Sequence, residues 1–309
     1  MLCFDLQAIA IPIKPTRLKM SSITDNHPEL PLTVYSRQSS LVHPTRVFGE
    51  VLSDLWRCRE LIWILFSRDL RAQYRQSVFG YLWLFVPVIS TTIVWMFLSN
   101  TQVIRVAETP IPYPAYVLIG SMVWGIFLSS VHQPLQSFNQ GQSVFMKLKV
   151  PPEAFIFAGM SHIVFDSLVR CLMLIPVCFV LGVMPAKTAW LFPLGLFGAG
   201  LLGMSIGMLM IPLASLYHDV SRLVGTLLQF GMYLTPVVYP PPKTGWASLL
   251  IQYNPVTHIV VSSRDWLTSG MSDSNIIFLG ILAGALVVLA IAMLILRVVL
   301  PHLVERMGM

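Results

Sequence analysis

Apolar residues fall in long runs separated by short polar segments over most of this chain, and that alternation predicts its elements. From Tyr81 onward no charged side chain appears until Arg105. Six apolar runs come near the twenty or so residues that a bilayer requires. They are Gly80 to Leu98, Tyr113 to Phe138, Phe155 to Leu181, Trp190 to Leu216, Leu223 to Tyr239 and Ile276 to Leu300. The pattern predicts an all-α polytopic membrane protein whose six transmembrane helices occupy residues 80–309.

Ahead of the spans the period changes from continuous to amphipathic. Phe48, Val51, Leu52 and Leu55 recur at helical spacing, with Glu50, Ser53, Asp54 and Arg57 on the other side. Residues 46–79 therefore read as an amphipathic interface helix, whole or broken, over about Val47 to Gln76. Arg68, Arg71 and Arg75 share one of its faces, and this cationic stretch leads directly into the first span. Residues 1–45 read as a disordered cytoplasmic tail, rich in Ser, Pro and Thr from residue 21. The first residues make a poor signal peptide, because Asp5 interrupts the apolar stretch and Lys14, Arg17 and Lys19 follow it; Met20-Ser21 is a plausible alternative start.

The stretch between the fifth and sixth runs differs from an ordinary loop. Pro240, Pro241 and Pro242 break the chain, Trp246 to Ile251 is apolar, and Asn254-Pro255 precedes Val256 to Leu267. These apolar pieces are too short to cross. They predict re-entrant helices that dip into the outer leaflet and return, which requires protein or water about their ends.

Composition and charge then fix class and orientation. Hydrophobic residues make up 55% and charged residues 11%, against roughly a quarter charged in soluble domains. The net charge of +6 points to lipid head groups rather than nucleic acid, given where the cations lie. With the N-terminus inside, the cytoplasmic side carries fifteen Lys and Arg and the outer side four (Arg105, Lys187, Lys243 and Arg264), with Arg170 inside a span. Both termini are thus expected in the cytoplasm. The four cysteines, Cys3, Cys58, Cys171 and Cys178, show no paired spacing, so neither a disulfide framework nor a metal site is indicated.

Catalytic signatures are absent. The chain has no GxxxxGK[ST] phosphate loop, no HExxH and no cysteine-pair metal pattern. His162, Asp166 and Arg170 lie four apart on the third span. Ionisable groups at that depth are costly; they form either a polar stripe along a translocation path or an Asp–Arg pair that holds two spans together. A membrane protease would need further His and Glu on neighbouring spans. Gly195, Ala199, Gly203 and Gly207 form a small-residue groove on the fourth span that admits a close helix, either from within the chain or across a subunit interface. The 139–153 segment, with Gln140, Gln142, Phe145, Lys147 and Lys149 ahead of Pro151-Pro152, fits a short amphipathic cytoplasmic helix: a solvated connector, or a knob that docks on a soluble partner. Trp95, Phe97, Tyr113, Tyr116, Trp190, Tyr233 and Tyr239 sit near outer span ends, where an interfacial belt explains most of them; the alternative for some is an exit path, where flat rings suit the apolar faces of sugars.

Three blocks of residues resemble a known family. The first is Tyr74, Arg75, Ser77, Gly80, Trp83 and Pro87; the second is Leu234-Thr-Pro-Val-Val-Tyr-Pro240, with Pro236 and Tyr239; the third is Asn254-Pro255 followed by Arg264, Leu267 and Gly270. In order and spacing they are similar to the membrane subunit of ABC exporters of the transmembrane type-2 class, particularly those exporting lipid-linked polysaccharides such as O-antigen, teichoic acid and capsule. The resemblance implies a permease homodimer in a bacterial inner membrane, working with two copies of a separate ATP-binding subunit that holds ATP and Mg. It implies transfer of motion by the interface helix and the 139–153 loop, and a glycan conduit between the two permeases. Arg71, Tyr74 and Arg75 would meet a polyprenyl diphosphate head group at the cytoplasmic mouth, or else only anionic lipid. A type-2 permease for a drug, antibiotic or other lipid shares the fold and is the competing reading. A secondary transporter would favour repeated halves with matching broken helices, and an enzyme acting on polyprenyl lipids would need clustered acids.

Overall fold

A computed structural model describes residues 58–74, 80–102, 108–145, 153–242 and 245–307. All of these lie in one of two compact units, that of Ser40–Met309. Every regular element among them is helical: α1 Arg59–Tyr74, α2 Val86–Asn100, α3 Tyr113–Phe145, α4 Glu153–Val180, α5 Phe192–Leu216, α6 His218–Gly231, α7 Trp246–Tyr253, α8 Pro255–Thr268 and α9 Asn275–Met307. Short 3-10 turns join some of them, at Gly80–Leu84, Ala189–Leu191 and Met232–Leu234.

Among the described residues, four helices are long and apolar enough to cross a membrane, over Tyr113–Gly141, Ile156–Val180, Ala189–Leu216 and Asn275–Val299. The protein is therefore a multi-pass membrane protein. The first and fifth predicted spans come out shorter than the hydropathy pattern suggests. The run Gly80 to Leu98 divides into a 3-10 turn and the 15-residue α2, with Pro87 in its first turn. Proline lacks an N–H and clashes one turn back, so a regular helix can begin beside it but not run through it. Fifteen residues give about 22 Å of helix, less than the roughly 30 Å hydrocarbon core. The run Leu223 to Tyr239 is helical only to Gly231, because Pro236 and Pro240 deny the chain beyond it two donors. The amphipathic helix predicted as a separate element over 139–153 is different again: α3 runs on through Gln140 and Gln142 to Phe145.

Burial divides the spanning helices into centre and rim. In their most apolar windows α3 is 78% and α5 67% buried, against 24% for α4 and 22% for α9. With lipid as solvent no hydrophobic force drives apolar helices together, so close packing has to come from small residues. The groove on α5 supplies them within the chain. A Cβ on Gly203 would lie 2.6 Å from the Phe127 carbonyl oxygen of α3, one on Gly207 would strike the Val131 carbonyl, and one on Gly195 would strike Ser263 of α8. The core then fills with Ile126, Leu196, Met204 and Met208 from α3 and α5, together with Ile259 and Val260 of α8.

Candidate functional site

Three places gather the polar residues of interest. The first lies where the chain leaves α6. Past the 3-10 turn Met232–Leu234 the backbone is not helical, and buried non-helical backbone at membrane depth must find partners in protein. Four successive carbonyls find them in side chains. Arg264 of α8 donates to Pro236 O (3.4 Å) and, through Nη2, to Val237 O at 2.9 Å. The Tyr113 hydroxyl of α3 donates to Val238 O at 3.0 Å, and that of Tyr116 to Tyr239 O at 3.3 Å. One residue earlier, Thr235 Oγ1 donates to Gly231 O and accepts from Asn254 Nδ2 at 2.9 Å. The Tyr239 hydroxyl turns back to Tyr233 O at 2.8 Å.

Arg264 is the centre of this clamp. It is 3% exposed, its Cζ lies 3.5 Å from the centroid of the Tyr116 ring, and its guanidinium reaches α3 over Gly120. A Cβ at Gly120 would strike Arg264 Nη2 and come within 2.5 Å of Val237 O. Only a planar fork stacks on a ring while also donating to two carbonyls; a lysine ammonium cannot. Asn254 caps α8 by accepting from Val256 N at 3.0 Å, and Pro255 stands in the first turn, the pairing expected of a helix start. The Asn254-Pro255 and Arg264 block thus belongs to one element, and it grips the Pro236–Tyr239 block.

The second place is the seam between α1 and α4. Leu65 (5% exposed) and Phe66 (8%) turn inward against α4, where Phe66 meets the His162 ring edge-on at 4.9 Å and the Phe165 ring at 6.2 Å. Trp63 and Ile64 point away, at 66% and 60% exposed. Arg68 pairs with its neighbour Asp69 at 2.8 Å, and Arg71 is exposed. The helix predicted to lie on lipid therefore also has a protein face.

The third place is deeper on α4. Arg170, 5% exposed, points at α3: Nη1 donates to Met122 O at 3.3 Å and would lie 2.6 Å from a Cβ on Gly125. The members of the predicted polar stripe meet different helices, with the Arg170 charge still acting on Asp166. His162 serves the α1 seam, Arg170 serves α3, and Asp166 between them is half-buried.

Gly80 adopts φ +51, which explains a glycine at that point of the first block, and Trp83 is 53% exposed. The backbone of Tyr74, Gln142 and Phe145 is helical. Arg75, Ser77, Lys147 and Lys149 lie outside the described residues. Among the described residues no group of three or more His, Cys, Asp or Glu stands ready for a metal. What these places can do chemically is bind backbone and pack rings.

Sequence reasoning left Tyr113 and Tyr116 in an interfacial belt and passed over Gly120 and Gly125. The signal was present, since Tyr113, Tyr116 and Gly120 lie three and four apart on one face of α3.

The family model described as ABC-2 type transporter matches residues 60–268. An O-antigen export system permease protein RfbA of Klebsiella pneumoniae is 26% identical over 235 residues, which cover 73% of this chain and 86% of that one. One of Myxococcus xanthus is 23% identical over 220 residues, 69% of this chain and 82% of its own. The polysialic acid transport protein KpsM of Escherichia coli is 21% identical over 223 residues, 69% and 83% respectively.

Proposed function

The chain belongs to the ABC-2 type transporter family, and from that premise we propose that it is the permease subunit of an ATP-driven exporter carrying lipid-linked, O-antigen-like polysaccharide out of the cytoplasm across the inner membrane. The observation that carries the cargo is the set of relatives named for O-antigen export, matched over most of both chains.

In this reading the chain crosses six times. Beyond the four long helices, α2 with its 3-10 lead and α6 with its 3-10 extension supply the first and fifth crossings, while α7 and α8 re-enter from the outside. The excess of Lys and Arg on one side puts both termini in the cytoplasm. Two copies pair, and two ATP-binding subunits, which hold ATP and Mg, dock below. The apolar faces of α2 and α6 (Ile89, Ile93, Phe97; Leu223, Leu227, Phe230), all exposed within one chain, then line the meeting of the two copies and the conduit between them.

Motion at the ATP-binding subunits reaches α1 and the inner end of α3, where Gln142, Phe145, Lys147 and Lys149 make the docking knob. From α1 it passes to α4 through Phe66 and His162, and from α4 to α3 through Arg170. Arg71, Tyr74 and Arg75 receive the diphosphate at the cytoplasmic mouth, with bidentate hydrogen bonds from arginine. Ser77, Gly80 and Trp83 carry the chain from that site into the first crossing.

The test is the lipid-linked glycan pool in cells lacking this chain, set against polysaccharide at the surface. Polyprenyl-linked glycan accumulating inside, with loss outside, is the expected result. An unchanged pool and a normal surface would sink the polysaccharide cargo and favour a drug or lipid permease.

A further inference from the structure

The clamp on the 235–239 segment has a mechanical consequence. We propose that it makes this segment a fixed outer pivot for α6, with Arg264 as the positioning residue, so that the cytoplasmic end of α6 swings during transport while its outer end stays in place. The inference rests on the permease reading for the cause of the motion, but not for the identity of the cargo.

Two contrasts within α6 carry it. The outer end is tied by directed bonds: carbonyls 236 to 239 each accept from Arg264, Tyr113 or Tyr116, and Thr235 is held by Asn254. All of these donors sit on α3 and α8, and α3 is the most buried of the spanning helices. The body of α6 lacks such ties. Leu223, Leu227 and Phe230 share one face and are 58%, 60% and 64% exposed within the chain. The Thr226 hydroxyl only returns to its own helix at Arg222 O. The inner end is joined to α5 through one residue, Tyr217, whose extended backbone (φ −130, ψ 108) interrupts helical continuity and so leaves a second bend there. Val220, Val224 and Leu228 rest on the core by apolar contact alone, and a rod held by directed bonds at one end and by contacts that slide along its length turns about the held end; hinges sit at the ends of elements where the backbone leaves helical geometry. Gly231 to Thr235 is that place.

Arg264 is the component whose loss releases the pivot. It alone serves two of the four carbonyls, and it is locked between Tyr116 and the floor at Gly120. Lysine keeps the charge but not the fork, so a pivot built on geometry is not rescued by Arg264→Lys, whereas a site that needs only a cation would be.

The test uses the full complex with its ATP-binding partner, the native cysteines replaced and the labelled chain diluted with unlabelled copies. Nitroxides are placed at Arg222, at Leu234 and, as reference, at Lys187, whose neighbours Ala186 and Thr188 bond Leu267 O and Trp266 O of α8. Double electron–electron resonance is recorded without nucleotide and with ATP trapped. The expected result is a shifted 222–187 distance and an unchanged 234–187 distance. In Arg264→Gln and in Arg264→Lys alike, the 234–187 distribution should broaden and export per ATP hydrolysed should fall severalfold. An equal shift at both positions overturns the pivot, as does no shift at either, or full rescue by Lys. Should a variant fail to fold, the two wild-type distances still decide. A wild-type complex that swings at 222 on ATP but moves no glycan supports the pivot and removes the cargo reading instead.

Discussion

The clamp on the 235–239 segment and the seam between α1 and α4 are both places where one helix is fastened to another, and they are fastened by opposite means. At the clamp, four carbonyls, two tyrosine hydroxyls and a guanidinium meet at fixed distances over a glycine that admits nothing larger. At the seam, α1 rests on α4 through Leu65, Phe66, Ala158 and the edge of His162, with the Asp69 charge of α1 acting on that imidazole. Directed bonds fail abruptly when displaced, because a buried donor or acceptor left unpaired costs the full desolvation of that group. Ring contacts slide, with shallow losses over fractions of an ångström. A transporter needs both kinds of joint: one that holds register against the membrane and one that yields when a partner pushes.

The sharpest way to break this contrast is to fill the floor of the clamp. Gly120→Ala sets a methyl against Arg264 and the Val237 carbonyl, neither of which can retreat without breaking its bonds. Overpacking a well-packed interior costs about 1–3 kcal/mol, and thermal unfolding of the detergent-solubilised chain should register a loss of that size. Gly280→Ala, inside α9 with nothing within 4 Å of its Cβ, should hold or raise the midpoint, since alanine is the better helix former. If the two behave alike, the clamp is no tighter than a lipid-facing surface.

The clamp also marks the limit of what the sequence discloses. Helix order, the long apolar runs and the break after Tyr239 are visible because membrane-spanning length and proline chemistry act locally. Asn254-Pro255 is equally readable as a cap and first turn. The ends of the first and fifth spans mislead, since hydropathy does not register that Pro87 begins a helix or that Pro236 and Pro240 prevent one. The role of Arg264 is hidden for a different reason. It sits among apolar residues like an outer-loop cation, and only the fold brings it within reach of carbonyls 27 and 28 residues away. His162, Asp166 and Arg170 share a helical spacing, yet two of them serve different neighbours, because a helix face more than one residue wide can meet two partners.

Two smaller changes sharpen the contrast. Tyr113→Phe deletes one donor of the clamp and leaves Val238 O without it. About 0.5–1.5 kcal/mol is the usual worth of such a bond, and the same unfolding assay should detect it. At the seam the measure is coupling. Phe66→Leu and His162→Leu, alone and together, form a double-mutant cycle whose interaction energy should be about 0.5–1 kcal/mol, as for an edge-on aromatic pair. Additive losses would mean that the rings touch without recognising one another.

The least effect should come from the charged pair on α1. Arg68 and Asp69 stand 2.8 Å apart, but their side chains are 58% and 33% exposed. Water and salt screen such a pair, and ordering two flexible side chains offsets most of the attraction, leaving about 0.2–1 kcal/mol. Arg68→Gln should therefore move the unfolding midpoint less than Tyr113→Phe, and its own effect should vanish in about 0.5 M salt, where the Debye length is only a few ångströms. A midpoint drop as large as that of Gly120→Ala, unmoved by salt, would show Arg68 to be held by something other than Asp69. The seam would then be a directed joint like the clamp, and the division of labour between a rigid outer end and a yielding inner end would not hold.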